Sequence, residues 1–144
     1  MKKLFSFLLI AIMALCFTSC ERNELKLRKK TIYLNILSNE WKYSQADRQF
    51  YAHFPMPEIT SEVYNYGDVT ISREYFSNTP AMYQVGLPQS VYKSETVDST
   101  TVYYQQLIDY RVGIGYVEIQ VTNSDFYYEG YTPEAMDFHV QLTY

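Results

Sequence analysis

Hydrophobic and polar residues alternate along most of the chain after residue 30, and this two-residue period is the pattern of half-buried β-strands. In residues 31–37, for example, Ile32, Leu34 and Ile36 share one face. Similar alternation predicts seven further strands, at residues 49–54, 68–76, 82–85, 91–97, 100–110, 116–122 and 136–144. The fifth and sixth of these eight strands are expected to form a long hairpin.

A single short helix is predicted at residues 61–66. Thr60 is placed to cap it, Ile59 and Tyr64 are spaced as a hydrophobic staple, and Gly67 is placed to end it. Because a helix this short has little stability of its own, we expect it to pack against the sheet. Seven or eight strands and one helix in residues 31–144 predict one all-β domain, an antiparallel β-sandwich.

The first nineteen residues follow a different pattern. Lys2 and Lys3 precede an apolar run at residues 4–17, and the small residues Thr18 and Ser19 follow it. The run is too short to span a bilayer comfortably, since a spanning helix needs about 20 apolar residues. We therefore predict a signal peptide at residues 1–19.

The residues around Cys20 resemble the lipobox of bacterial lipoproteins, in which a small residue precedes the cysteine that becomes lipid-modified. Phe17 stands where that family most often has Leu. Cys16 is a poorer match because it follows the large residue Leu15. The resemblance implies that Cys20 carries acyl chains such as palmitate and anchors the protein in the membrane.

The body extends this resemblance through the opening strand, Trp41, the Met-Pro-Glu-Ile-Thr stretch at 56–60 and the Met-x-Phe-x-Val-x-Leu pattern that begins at Met136. On these features the chain resembles small, uncharacterised lipoproteins of the Bacteroidetes. The resemblance implies an immunoglobulin-like sandwich on the outer membrane, and it brings no activity with it.

Charge separates a basic segment from an acidic domain. Residues 21–30 contain five basic and two acidic residues, and we interpret residues 20–30 as the lipidated cysteine and a solvated tether, in preference to a segment that binds headgroups. Lipoproteins sent to the cell surface are often acidic here, so periplasmic and surface exposure both stay open. Residues 31–144 carry five basic and fourteen acidic residues, which argues against nucleic-acid binding.

Motifs for chemistry are few. His53 and His139 are predicted on outward strand faces, where they could meet beside Asp137 as metal ligands, but solvated histidines are the favoured interpretation. No Gly-x-Ser-x-Gly motif occurs, and the glycines 113 and 115 lack the rest of a dinucleotide-binding fingerprint. We predict no metal, no cofactor and no enzymatic activity. Trp41 is interpreted as a core residue.

All 16 tyrosines lie in the domain, and some of them exceed what a sandwich core needs. We predict that an exposed aromatic patch binds an envelope protein or a glycan, with protein slightly favoured because no tryptophan is clearly exposed. Its candidate residues are Tyr103, Tyr104, Tyr110, Phe126, Tyr127, Tyr128 and Tyr131. The alternative is that Tyr127, Tyr128 and Tyr131 pack the predicted long loop, residues 123–133, onto the end of the sheet.

The sequence thus predicts a non-enzymatic, lipid-anchored envelope protein that binds or assembles with a partner. Two alternatives stay open. One is a passive structural or pilus-like subunit, which an unpaired C-terminal edge strand would favour. The other is a hydrolase acting through two surface carboxylates held about 5–9.5 Å apart.

Overall fold

The alternating segments form nine strands in the computed structural model, which describes residues 27–97, 99–124 and 131–144. The strands of this described part are β1 Lys29–Ile36, β2 Lys42–Ser44, β3 Gln49–Pro55, β4 Asp68–Tyr75, β5 Tyr83–Gly86, β6 Gln89–Val97, β7 Thr100–Gly113, β8 Tyr116–Asn123 and β9 Met136–Thr143. One helix, α1, spans Ser61–Tyr66, and a 3-10 turn spans Ser38–Glu40.

Two antiparallel sheets pack face to face. The four-stranded sheet has the order β1-β9-β4-β5, and the five-stranded sheet has the order β2-β3-β8-β7-β6. The prediction of an all-β sandwich is confirmed. The immunoglobulin-like detail is not confirmed: that topology places its first, second, fifth and fourth strands in one sheet, whereas here the last strand lies between the first and the fourth.

The core lies between the sheets, on the faces that the alternation predicts. Ile119 of β8 and Phe138 and Leu142 of β9 are fully buried, and their neighbours on the same faces are buried with them. Trp41 is also a core residue, as predicted, and its ring N–H donates a hydrogen bond to the carbonyl oxygen of Glu134 at 3.2 Å. This bond provides the polar partner that a buried indole needs.

Helix α1 occupies the predicted residues. The Thr60 side chain accepts a hydrogen bond from the backbone N–H of Val63, which is buried, and the Gly67 N–H donates to the Val63 carbonyl. Gly67 has a φ of −95°, so it is not needed for a left-handed turn. A Cβ atom at Gly67 would lie 2.6 Å from the carbonyl oxygen of Thr143, so glycine permits close packing of the helix end on β9.

Strand β1 begins two residues before the predicted domain boundary. Lys29 and Lys30 pair with Thr143 and Leu142, and the backbone groups of Arg28 and Tyr144 exchange hydrogen bonds. Backbone pairing at a sheet edge does not require apolar side chains, so the alternation pattern missed these basic residues. The predicted tether therefore ends near residue 28, and its residues 20–26 lie outside the described part.

The hairpin of β6 and β7 extends past its neighbour. Strand β8 pairs with β7 only from Gln106 to Gly113, whereas β6 pairs with β7 as far as Val97 and Thr100. Residues 92–97 and 100–105 therefore form a two-stranded ribbon, called here the β6–β7 ribbon. Asp98 of the predicted turn lies outside the described residues.

The charged side chain of Arg73 points between the sheets. Arg73 on β4 is only 5% exposed. Its Nη2 and the Nζ of Lys93 on β6 each lie 2.9 Å from the same carboxylate oxygen of Glu134. The guanidinium group also lies over the ring of Tyr75, 4.4 Å from its centroid. These contacts fasten the segment before β9 to both sheets.

Candidate binding sites

The structure divides the described tyrosines of the predicted patch between two environments. Tyr103 points outward from β7 and is 76% exposed. Tyr104 and Tyr110, on the opposite face of the same strand, are half-buried. The hydroxyl of Tyr110 donates to the carbonyl oxygen of Val69, and burial raises the pKa of that hydroxyl. Tyr103 therefore does not share a surface with Tyr104 and Tyr110.

Tyr131 also packs inward. Its ring meets the ring of Phe50 edge-on, with centroids 5.5 Å apart, and its hydroxyl lies 2.6 Å from the Nε2 of Gln106. This position agrees with the alternative that Tyr131 packs its loop against the sheet. Phe126, Tyr127 and Tyr128 lie outside the described residues, so their binding role stays a prediction.

Tyr92, which the predicted patch omits, lies next to Tyr103 on the outer face of the five-stranded sheet. Tyr92 is 83% exposed, and the pairing of Tyr92 with Gln105 and of Ser94 with Tyr103 makes the two tyrosines diagonal neighbours. A depression of about 260 Å³ lies beside them, lined by Ser90, Gln105, Leu107, Thr122, Asn123 and Ser124. Tyr92, Tyr103 and this uncharged depression are called the tyrosine face.

A larger groove, of about 530 Å³, lies on the outer face of the four-stranded sheet. It is called the polar groove, and its lining is Thr31, Tyr33, Thr70, Ile71, Ser72, Met82, Gln84, Gly86, His139 and Gln141. The alternation pattern places His139 on an outward face but does not bring the other lining residues to it. Their proximity depends on β9 lying between β1 and β4, which local alternation does not reveal.

A chain of hydrogen bonds organises the floor of the polar groove. Ser72 Oγ donates to Gln84 Oε1 at 3.1 Å, and Gln84 Nε2 lies 2.9 Å from His139 Nδ1. His139 Nε2 lies 2.5 Å from a carboxylate oxygen of Glu74. With the amide in this orientation, Nδ1 accepts and Nε2 donates, so the network assigns the tautomer of His139.

Glu74 and Asp137 are cross-strand partners beside this network. They line a second depression, of about 210 Å³. The Asp137 carboxylate accepts hydrogen bonds from Ser77 and Asn35, both at 2.6 Å, and these bonds lower its pKa. The structure thus brings together two carboxylates that the sequence left scattered.

His53 lies apart from His139. It points outward from β3 in the five-stranded sheet, 3.8 Å from a carboxylate oxygen of Glu118, and its ring stacks on Tyr116. The two histidines are therefore on the outer faces of different sheets. Within the described residues, no three His, Cys, Asp or Glu side chains are grouped so that they could hold a metal ion.

Comparison with protein-family profiles, with curated proteins and with solved structures finds no match to this chain. No helix in the part of the chain that the structure describes has the length and hydrophobicity needed to cross a membrane.

Proposed function

We propose that the protein is a non-enzymatic envelope protein, lipid-anchored at Cys20, that binds a protein partner through the β6–β7 ribbon. The observation that carries the proposal is the ribbon itself, with two neighbouring tyrosines 83% and 76% exposed at its base. Large exposed aromatic side chains in one place are typical of interaction surfaces.

The pairing of the ribbon supports this proposal. A two-stranded hairpin is marginally stable at best in water, because it lacks a third strand to bury its faces. Strand β6 is the last strand of its sheet, and no described strand pairs with its outer edge. A partner strand added there would supply main-chain hydrogen bonds, and the tyrosines would supply apolar contact.

Lys93 makes this edge selective. Its side chain is half-buried on the inner face of β6 and is held by Glu134. Inward-pointing charges on edge strands disfavour indiscriminate pairing. A partner must therefore tolerate or match this charge, which favours a specific assembly over general aggregation.

Site-specific photo-crosslinking in intact cells tests the proposal. A photoreactive amino acid is placed at Tyr92 or Tyr103, and the control position is Tyr66 on α1, which is 88% exposed. We expect one discrete protein adduct from Tyr92 and Tyr103 that is absent from Tyr66. Adducts that are the same at all three positions, or absent at both ribbon positions, would contradict the proposal. An adduct of twice the chain mass would identify a second copy as the partner.

A hydrolase is the second candidate, because Glu74 and Asp137 are neighbours beside a depression. The lowered pKa of Asp137 keeps its carboxylate ionised, as the nucleophile of a retaining glycosidase must be. Reducing-end release from envelope polysaccharides would support this candidate if Glu74→Gln abolished it. Equal release by the wild-type protein and by Glu74→Gln would remove it.

The pilus-like alternative loses its original mechanism. The C-terminal strand β9 pairs on both sides, with β1 and with β4, so it is not an open edge. Strand addition of that kind would have to use another edge, and β6 is the longest edge strand among the described residues.

A further inference from the structure

We propose that the polar groove on the four-stranded sheet binds a neutral carbohydrate, independently of the protein contact proposed for the β6–β7 ribbon. The groove is on the opposite side of the sandwich from the tyrosine face. Its volume of about 530 Å³ falls within the range of about 300–1,000 Å³ for small-molecule sites.

The floor of the groove is pre-organised for hydroxyl groups. Ser72, Gln84 and His139 hold one another in fixed orientations, with contacts of 3.1 and 2.9 Å. An amide nitrogen has two N–H donors and an amide oxygen has two lone pairs, so Gln84 keeps both a donor and an acceptor for a ligand. A sugar hydroxyl both donates and accepts, and it can therefore bind to such a pair. Fixed side chains also reduce the entropy lost on binding.

An aromatic wall completes the groove. Tyr33 is 73% exposed, and its ring is held edge-on against His139 with centroids 4.4 Å apart. The exposed ring surface can stack on the C–H face of a pyranose. Met82, which is 50% exposed, lines the groove from the β5 side.

The charge of the lining selects the class of ligand. None of the described residues that line the groove is Lys or Arg. An anionic ligand would therefore find no cation to bind, and the nearby Glu74 would repel it. An apolar ligand would bury the polar floor without hydrogen bonds, which is unfavourable. A neutral molecule rich in hydroxyl groups would not be repelled by Glu74, and it could form hydrogen bonds with the polar floor.

Gly86 offers a direct way to block the site. It lines the groove, and a Cβ atom built at this position would have no atom within 4 Å. The substitution Gly86→Leu should therefore fill the groove without disturbing the fold. Tyr33→Ala removes the aromatic wall, and Tyr66→Ala, at an exposed tyrosine of α1 that does not line the groove, is the matched control.

The test applies the full-length protein, purified in detergent, to an array of neutral oligosaccharides of glucose, mannose, galactose and xylose, with uronic-acid oligomers as the acidic comparison. Titration calorimetry with the best-bound oligosaccharide then compares the variants. We expect neutral sugars to bind, Gly86→Leu to abolish binding, Tyr33→Ala to weaken it about tenfold or more, and Tyr66→Ala to leave it unchanged.

Hydrogen exchange of the wild-type protein provides a check that needs no variant. Ligand should protect β1, β4, β5 and β9 and leave β6 and β7 unchanged. The proposal is overturned by an array on which no neutral sugar binds, by a preference for acidic sugars, by unchanged binding in Gly86→Leu, or by protection confined to β6 and β7. Absence of the crosslink at Tyr103 would contradict the protein contact proposed for the β6–β7 ribbon, but it would not affect the carbohydrate proposal.

Discussion

Asp137 shows how two hydrogen bonds to one side chain couple stability to pH. Its carboxylate accepts from Ser77 and Asn35, and these bonds lower its pKa although partial burial opposes them. The unfolded chain therefore binds more protons than the folded chain as the pH falls toward the usual carboxyl pKa. The stability that Asp137 contributes is complete above that value and is lost as the pH falls through the folded pKa.

We predict that Asp137→Asn makes the free energy of unfolding less dependent on pH below about pH 4. The amide can still accept from Asn35, and Ser77 can reverse its role and accept from the amide, so the fold is preserved. Urea denaturation between pH 7 and pH 3 measures the effect. The free energy of unfolding should change with pH in the same way for the two proteins between pH 6 and pH 7. If it also changed equally below pH 4, the prediction would be contradicted.

The face on which a strand residue lies follows from the sequence, but its distant partner does not. Alternation assigned Ile32, Leu34 and Ile36 to the inner face of β1, and the structure agrees. The same rule separates Tyr103 from Tyr104, because successive side chains of a strand point to opposite faces. Grouping them in one patch ignored that parity. Arg73 lies on an inner face by the same rule, but its partner Glu134 is 61 residues away in sequence.

At the scale of elements, close packing accounts for Gly67 at the end of α1. A Cβ atom at this residue would lie 2.6 and 2.8 Å from the carbonyl oxygens of Thr143 and Val63, and backbone atoms cannot easily move away. Gly86 on β5 is the matched comparison, because a Cβ atom there meets nothing within 4 Å.

We predict that Gly67→Ala destabilises the protein by about 1–3 kcal/mol, the usual cost of overpacking. Gly86→Ala should leave stability unchanged or raise it by up to about 1 kcal/mol, because alanine restricts the unfolded chain. Thermal and urea denaturation of the two variants checks this. Equal stability changes would show that the contacts at Gly67 do not control the helix end.

The positions of the helix and strands along the chain were easier to predict than the pairing of one strand with another. Helix α1 was predicted from its cap and its terminal glycine, and the β4 and β9 segments from alternation, because each signal lies within a few residues. The pairing of β9 with both β1 and β4 joins residues 63 to 114 positions apart, and no local pattern specifies it. The polar groove arises from that pairing, so it could not be predicted from the sequence.

At the scale of the whole molecule, the position of β1 determines how near the sandwich lies to the proposed anchor. Backbone pairing of Arg28 with Tyr144 leaves eight residues from Cys20 to the first paired position. Fully extended, they reach at most about 26–29 Å. A lipidated Cys20 would therefore hold the sandwich close to the membrane surface.

The proposed anchor has a matched control in the chain itself, since Cys16 and Cys20 are its two cysteines. We predict that the wild-type protein fractionates with membranes and incorporates labelled palmitate, that Cys20→Ser loses both properties, and that Cys16→Ser keeps both. Stable anchoring needs two or more acyl chains. Because the chains are expected at residue 20, Cys20→Ser should lose membrane association and labelling completely. Near-ultraviolet circular dichroism should show the same folded sandwich in all three proteins. Membrane retention and labelling of Cys20→Ser would refute the anchor, and their loss in Cys16→Ser would place the modified cysteine at residue 16.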